Sequence, residues 1–488
     1  MDLHDPAQLL TDAPQVADAL QRAGWSSGAL DELLGVTAQT HLDRDELAPL
    51  LRRTAGGSPL EVLARLFVLG VPVAAAAARA AGLPASWLAA DGTALVRLQA
   101  VLHGGADVTV PHDPGRAATG VHPEQVLGVG AAALTLAAAT PRRPVARVLD
   151  LGCGGGIQAL LAARHAGQLV ATDRSPRAVA MTRLAAALAD PPYDGPDGEQ
   201  AGTSPVPWDV REGDLLEPVT GQSFDLVVSN PPFVIGPDRR YSYRDAGYAG
   251  DEFCRRLVTG LPAVLAPGGT AVLLANWLHL AGQDGDERVR SWFDGSGCDG
   301  WVVQCELAHP EDYVTAWLRD TDEGPRFDAL YEQWLDALQG VEAIAFGVIA
   351  IRRGPGPGSV VLDEVDQPLA PTWGEEVLGH FDRREALRAD PLERAWRLRE
   401  DVRLHQVAEP GEHGWAVTSQ LLQQEAGLRW TGGVDDYGAT LLAGCDGRRR
   451  LGELVEVLAA AAGLGFGAAA EQLLPVVRRL VQQGFLVP

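Results

Sequence analysis

The sequence predicts an α/β protein, an open and mostly parallel sheet with helices on both faces, set between a helical N-terminal region and a mainly helical C-terminal one. Three observations carry this. From about residue 106 strand-like and helix-like runs alternate, the pattern that winds a parallel sheet. The apolar run Ala146–Leu151 passes straight into a glycine-rich loop and then a helix-like segment. At 488 residues, 46% hydrophobic and 21% charged, the chain is long enough for two or three domains, each with its own core.

Taken in order, residues 1–105 read as a helical cap or recognition domain. Apolar residues recur at helical spacing in Val16–Ala23, Leu47–Arg53, Leu60–Leu69 and Val73–Ala81, with Gly, Ser and Pro between them. Residues 106–353 form the sheet domain. Its expected strands are Ala146–Leu151, Leu169–Asp173, Trp208–Arg211, Phe224–Ser229, Thr270–Asn276, Trp301–Glu306 and Ala343–Arg352. Helices are expected at Ile157–His165, Pro176–Leu188 and Asp251–Leu265, and the Pro/Gly-rich stretch Asp190–Pro207 as a mobile surface insertion. Arg352–Ser359 (RRGPGPGS) reads as a linker into a third domain, 354–488. There Tyr437–Gly463 and Leu473–Pro488 read helix, turn, helix, helix, short strand, which resembles a winged-helix module.

Composition excludes several functions. All 40 basic residues are arginine, so Schiff-base, phosphate-loop and kinase chemistry, each of which needs a lysine amine, are ruled out. The five cysteines are scattered without a Cys-x-x-Cys pair, which argues against structural zinc and disulfides and fits a reducing cytoplasm; no metal site is expected. The N-terminus lacks a signal-peptide pattern and no apolar run is long enough for a membrane span. The net charge is −24, divided as −4 over 1–105, −13 over 106–354 and −7 over 355–488. No segment is a basic nucleic-acid module, although a local arginine-lined groove remains open. Nothing in the sequence specifies an oligomeric state.

The glycine loop follows the first sheet strand as Asp150-Leu151-Gly152-Cys153-Gly154-Gly155-Gly156, with a helix opening at Ile157. Glycines there permit a tight turn and close approach of a ligand to the main chain. Ile157 stands where a dinucleotide fingerprint would place its third glycine. The next strand ends in Asp173, followed by Arg174, where such folds grip a ribose diol; a helix cap is the alternative reading. Past the third strand, Asp214 can accept from an adenine amino group while Leu215 packs on the ring, or Asp214 is a turn aspartate.

The most specific feature is Asn230-Pro231-Pro232-Phe233 at the end of the fourth strand. Consecutive prolines hold a stiff extended turn with exposed carbonyls. The Asn230 side-chain oxygen and the Pro231 carbonyl can accept the two N–H groups of an amide or aryl-amine nitrogen. That binding aims its otherwise delocalised lone pair, and Phe233 offers a stacking face. Tyr241, Tyr243, Arg244 and Asp245 follow as lid or substrate contacts, or simply as surface packing; Glu124, in Val121–Gly130 ahead of the first strand, is a weaker candidate for the cofactor side.

Over roughly 120–353 these elements, in this order, resemble a class I S-adenosylmethionine-dependent methyltransferase, with a Rossmann-like seven-stranded sheet. The Asn-Pro-Pro-Phe turn resembles the amino-methyltransferase signature of release-factor glutamine, adenine-N6 and guanine-N2 methyltransferases. The resemblance implies that Asp150, Gly152, Gly154 and Gly156 line the methionine and sulfonium end, that Asp173 with Arg174 takes the ribose, Asp214 and Leu215 the adenine, and that Asn230–Phe233 are catalytic, with Asn230 also beside the cofactor. It implies N-methylation of a planar amide or amino nitrogen on a protein, peptide or RNA, with protein glutamine slightly favoured; DNA bases and peptide natural products are alternatives. A cofactor-sensing regulatory protein and a nicotinamide oxidoreductase are competing classes, disfavoured respectively by the intact Asn230-to-Phe233 turn and by Ile157.

Overall fold

Runs such as Val148-Leu149 and Leu226-Val227-Val228 are apolar on both faces, so they form strands only where the sheet is covered twice. The computed structural model describes residues 6–114, 124–189, 206–237, 250–320, 326–411 and 414–488. Of the sequence candidates, Tyr241, Tyr243, Arg244, Asp245 and most of the Asp190–Pro207 insertion lie outside the described residues.

A hairpin, β1 (Arg97–His103) and β2 (Ala106–His112), precedes the main sheet. The sheet strands are β3 (Val145–Leu151), β4 (Ala166–Asp173), β5 (Trp208–Glu212), β6 (Phe224–Ser229), β7 (Leu265–Leu280), β8 (Asp299–Ala308), β9 (Val341–Arg352) and β10 (Val360–Glu364). Their order is β10-β8-β9-β7-β6-β3-β4-β5. Neighbours are parallel except that β9 runs antiparallel to β7 and β8. Chain order reverses between β3 and β6, and in open sheets the crevice at the carboxyl ends beside such a reversal is where ligands bind.

All seven expected strands are present, and an eighth is added. The Pro/Gly stretch 352–359 connects β9 to β10 within the same sheet; it is not a boundary linker at 353. The reason is local pairing: Asp299 accepts from the Ser359 backbone N–H at 3.2 Å and its hydroxyl at 2.8 Å, and Trp301 Nε1 donates to Asp363 at 2.7 Å. The chain accordingly divides into one compact unit of 1–137 with 143–364 and a second of 138–142 with 365–488.

The N-terminal helices, among them Ala13–Arg22, Leu47–Arg53 and Pro59–Leu63, belong to the first compact unit. Leu9, Leu66, Phe67 and Trp87 share a core with Met181 and Leu184 of the sheet helix Pro176–Ala189. The hairpin straddles the expected boundary, because Gly104 and Gly105 both have positive φ (56° and 78°), the backbone that a two-residue hairpin turn needs. Among the described residues no single helix is long and apolar enough to cross a membrane.

The second unit is less helical than expected. Leu392–His405 contains no α-helix; it holds β11 (Ala395–Leu398) and the start of a long hairpin, β12 (Val402–Gly411) with β13 (Gly414–Gln424), joined by β14 (Thr431–Gly433). Helices follow at Asp436–Gly444, Leu451–Ala462 and Phe466–Gln482, with β15 (Asp446–Arg450) and β16 (Leu486–Val487). Arg448-Arg449-Arg450 lies in an exposed strand, with Arg450 paired to Glu393 at 2.9 Å. The small sheet has the order β15-β11-β16. The elements after Asp435 thus run helix, strand, helix, helix, strand, and the third strand of the small sheet, β11, comes from upstream of Asp436–Gly444.

Candidate active site

The ends of β6, β3, β4 and β5 are adjacent and parallel, so the residues singled out after each strand meet along one edge. Gly152, Gly154 and Gly156 have φ of 77°, 55° and 86°, conformations that side-chain-bearing residues rarely adopt. Gly152 N and Cys153 N both donate to Thr172 O, at 2.8 and 3.0 Å, which ties the loop to the end of β4. A Cβ at Gly152 or Gly154 would meet nothing within 4 Å. The backbone there faces open space, as a ligand cradle must. Gly155 and Gly156 serve packing instead: a Cβ at Gly155 would lie 2.8 Å from Pro111 O of β2, and one at Gly156 would lie 3.3 Å from Ala185 of the helix Pro176–Ala189.

Two carboxylates hold this loop. Asp150 is buried, and its Oδ2 accepts from Ala159 N at 2.9 Å in the first turn of the helix Ile157–Ala162. Burial pushes Asp150 up to about 7, opposed by that N–H and assisted by the nearby charge of Asp173. Asp173 is half-buried and accepts from Gly154 N at 3.0 Å and Ser175 N at 2.9 Å. Desolvation raises its carboxyl above the ordinary range against the pull of those backbone donors. Ser175, whose Oγ accepts from Ala178 N at 3.3 Å, caps the following helix. Asp173 is thus released from the simple capping role and bridges the glycine loop to the end of β4. Arg174 is exposed beside it.

Asp214 is exposed past β5, and Leu215, half-buried, takes a left-handed φ of 48°. Both line a cavity of about 600 Å³, with Leu216, Thr220 and Arg255 among its other walls. Cys153 is buried, its Sγ accepts from the Thr182 hydroxyl at 3.1 Å, and its thiol is raised well above its ordinary range by desolvation and the charges of Asp173 and Asp150.

Asn230 follows directly on Ser229, which pairs with Leu151 in register and donates its hydroxyl to Leu151 O at 2.8 Å. The Asn-Pro-Pro-Phe turn therefore begins beside Gly152. Asn230, Pro232 and Phe233 are half-buried and Pro231 is buried, so the turn is anchored but not shut inside the core. Phe233 packs on Phe346 of β9, with ring centroids 5.4 Å apart. Behind the turn, Ile235 N donates to Tyr313 Oη at 2.8 Å. Asp251, in the segment where the described chain resumes, is buried, receives Leu278 N at 3.0 Å and pairs through both oxygens with Arg288 at 2.7 and 2.6 Å.

Sequence reasoning missed one further buried pair. Asp113, just after β2, accepts from Arg177 Nε at 2.7 Å and from Val126 N at 2.8 Å, and its other oxygen bonds the Arg177 guanidinium. It links the hairpin wall against Gly155 to the helix that begins after Asp173. The 64-residue separation leaves no local signal. Glu124 is exposed, while its neighbour Gln125 is buried and donates to Pro114 O at 2.7 Å.

The methyltransferase small domain family matches residues 116–279, and two further families, each described as a domain of unknown function, match 22–103 and 378–488. The methyltransferase small domain match spans the glycine loop and the Asn-Pro-Pro-Phe turn. Among curated relatives, the release factor glutamine methyltransferase of Geobacter sulfurreducens is 34% identical over 175 residues, covering 33% of this chain and 54% of that protein. Ribosomal RNA small subunit methyltransferase C of Alcanivorax borkumensis is 36% identical over 130 residues, covering 27% and 32%. The tRNA1(Val) (adenine(37)-N6)-methyltransferase of Escherichia coli O1:K1 is 33% identical over 118 residues, covering 23% and 42%. The chain spans about half the length, or less, of these curated relatives.

Proposed function

We propose that this chain is an S-adenosylmethionine-dependent N-methyltransferase acting on a planar amide or amino nitrogen of a macromolecule, with a protein glutamine side chain favoured. The observation that carries the reading is the Asn-Pro-Pro-Phe turn, half-exposed at the carboxyl end of β6 and one residue past the Leu151–Ser229 pair that leads into the glycine loop. The open faces of Gly152 and Gly154 fit a cofactor lying along the loop. When bound, S-adenosylmethionine supplies an electrophilic sulfonium methyl.

The chain's own part is binding and orientation. Gly152 and Gly154 admit the cofactor close to the main chain, Asp173 with Arg174 is assigned the ribose end, and Asp214 with Leu215 the adenine. Asp150 and Gly156 act one step back, holding the helix and the loop in place. Asn230 Oδ1 and the Pro231 carbonyl accept the N–H groups of the acceptor nitrogen, and Phe233 supports its plane. Holding the nitrogen this way favours the charge that develops on it in the transition state. Positioning of this kind supplies on the order of 7–11 kcal/mol in favourable intramolecular reactions.

Protein is favoured over nucleic acid by the charge of −13 on residues 106–354, which repels a polyanion at long range. A ribosomal or transfer RNA base is the second reading, favoured by the two RNA-modifying relatives. The flanking helical elements and the winged-helix-like second unit are assigned to docking of the macromolecule.

The test is transfer of tritiated methyl groups into a cell extract, with the product sorted by protease, RNase and DNase sensitivity. Label removed by protease and lost in Asn230→Ala, with S-adenosylhomocysteine affinity kept within a few-fold, is the expected result. Undiminished transfer by Asn230→Ala refutes the role assignment, and label removed by RNase moves the substrate to RNA.

A further inference from the structure

Asn276 and Phe346 are direct partners across the antiparallel β7–β9 pair, so their side chains leave the sheet on the same face. Each supports one side of the Asn-Pro-Pro-Phe turn. Phe346 packs against Phe233, with centroids 5.4 Å apart. Asn276 bonds through its side-chain amide to Tyr313 Oη at 3.1 Å, and Tyr313 Oη accepts Ile235 N at 2.8 Å. Phe233 and Ile235 are thus held from a single register position of the sheet, on either side of Val234.

The surroundings make this a rigid mount. Tyr313 comes from the helix Pro310–Asp320 and is buried with Val234, Ile235, Leu278, Trp334 and Ile344. Asn276 is 1% exposed, and its Oδ1 has no hydrogen-bond partner among the described residues. A buried polar atom left unsatisfied costs stability, and an apolar residue at the same strand position would avoid that cost. The amide is therefore poorly explained as a contribution to core stability, and its geometry toward Tyr313 accounts for it better.

We infer that Tyr313 and Asn276 are positioning residues, which set the distance of Asn230 and Pro231 from the acceptor nitrogen by clamping the turn at Ile235; the inference rests on the methyltransferase reading above. Neither touches the reacting atoms. Their effect is transmitted through three residues of main chain from Phe233 to Ile235, and a misplacement of about 1 Å at a reacting centre costs on the order of 100-fold in rate.

The experiment compares Tyr313→Phe, Asn276→Leu and Asn230→Ala in the full chain. Apparent kcat and KM are measured with tritiated S-adenosylmethionine varied against a fixed cell extract. S-adenosylhomocysteine affinity is measured by calorimetry, and exchange of the Ile235 amide by hydrogen–deuterium exchange. The expected result for Tyr313→Phe is a kcat at least tenfold lower, cofactor affinity within twofold, and at least tenfold faster exchange at Ile235. Asn276→Leu keeps the tyrosine and its packing, so it carries the same test, with a smaller fall in kcat, should the first variant not fold. If Asn230→Ala is inactive while both clamp variants turn over within twofold of the parent, the clamp is wrong and the functional reading stands. Equal loss of kcat and cofactor affinity in the clamp variants marks a merely structural role and also overturns the inference. Full turnover by Asn230→Ala removes the functional reading, and the clamp with it.

Discussion

Gly154→Ala separates a cofactor cradle from an ordinary tight turn. Gly154 sits at φ 55°, and an added Cβ would meet no atom within 4 Å. The folded protein therefore feels only backbone strain, about 1–2 kcal/mol for an L-residue in the left-handed region. Reduced freedom of the unfolded chain offsets roughly 0.4–1 kcal/mol of this. A net loss of about 1 kcal/mol lowers Tm by about 2 °C in a unit of this size. The methyl group would occupy the space assigned to the cofactor, so affinity should fall at least tenfold, which is about 1.4 kcal/mol. Gly155→Ala provides the contrast. Its Cβ would lie 2.8 Å from Pro111 O and 3.2 Å from Val110 Cγ1, an overpacking worth roughly 1–3 kcal/mol, so Tm should fall further than in the first variant. Scanning calorimetry and titration with S-adenosylhomocysteine give both quantities. A Gly154→Ala protein with unchanged affinity would show that nothing binds along this loop face, and the cradle would have to be abandoned.

Three other variants probe the supports of the site. Asp150→Asn keeps an oxygen acceptor for Ala159 N but removes the charge. Because the folded carboxyl is raised from 3.8 to about 7, the native state binds more protons than the unfolded chain across that window, and Asp150 makes stability fall as pH rises through it. At 1.36 kcal/mol per pH unit the full window is worth on the order of 4 kcal/mol, so the Tm advantage of Asp150→Asn over the parent should grow from pH 4 to pH 7 and then level off; a constant difference would refute the assignment. Arg177→Met strands the buried Asp113 carboxylate and should cost about 3–5 kcal/mol in urea unfolding, whereas a loss below 1 kcal/mol would mean the pair is wet and replaceable. Asp173→Ala removes the acceptor for Gly154 N and Ser175 N, and should weaken S-adenosylhomocysteine at least tenfold while leaving kcat at saturating donor within a few-fold; calorimetry and initial rates check the two halves separately.

The strands, the glycine loop and the proline turn were legible in the sequence because each is governed by near neighbours. Alternating blocks of branched apolar residues mark the seven strands, glycine marks left-handed backbone at 152, 154 and 156, and Pro231-Pro232 stops β6 whatever surrounds it. The Gly104-Gly105 turn was equally local. Its strands, Arg97–His103 and Ala106–His112, follow directly on Ala-rich segments of helical periodicity, which masks them in the sequence. Leu392–His405 carries no comparable local signal: strand propensity depends on what a segment pairs with, and β12 finds its partner in β13.

Local sequence specifies the succession of strands along the chain and the residue types at their carboxyl ends, but not the arrangement of those strands within the sheet. The tertiary structure alone decided that β10 extends the sheet, that the N-terminal helices share a core with Pro176–Ala189, and that Asp113 meets Arg177 and Tyr313 meets Ile235 across 64 and 78 residues. The physical reason lies in the range of the forces involved. Backbone propensity and periodicity act over a few residues, whereas a buried hydrogen bond is specified only once the topology has brought both partners out of water together.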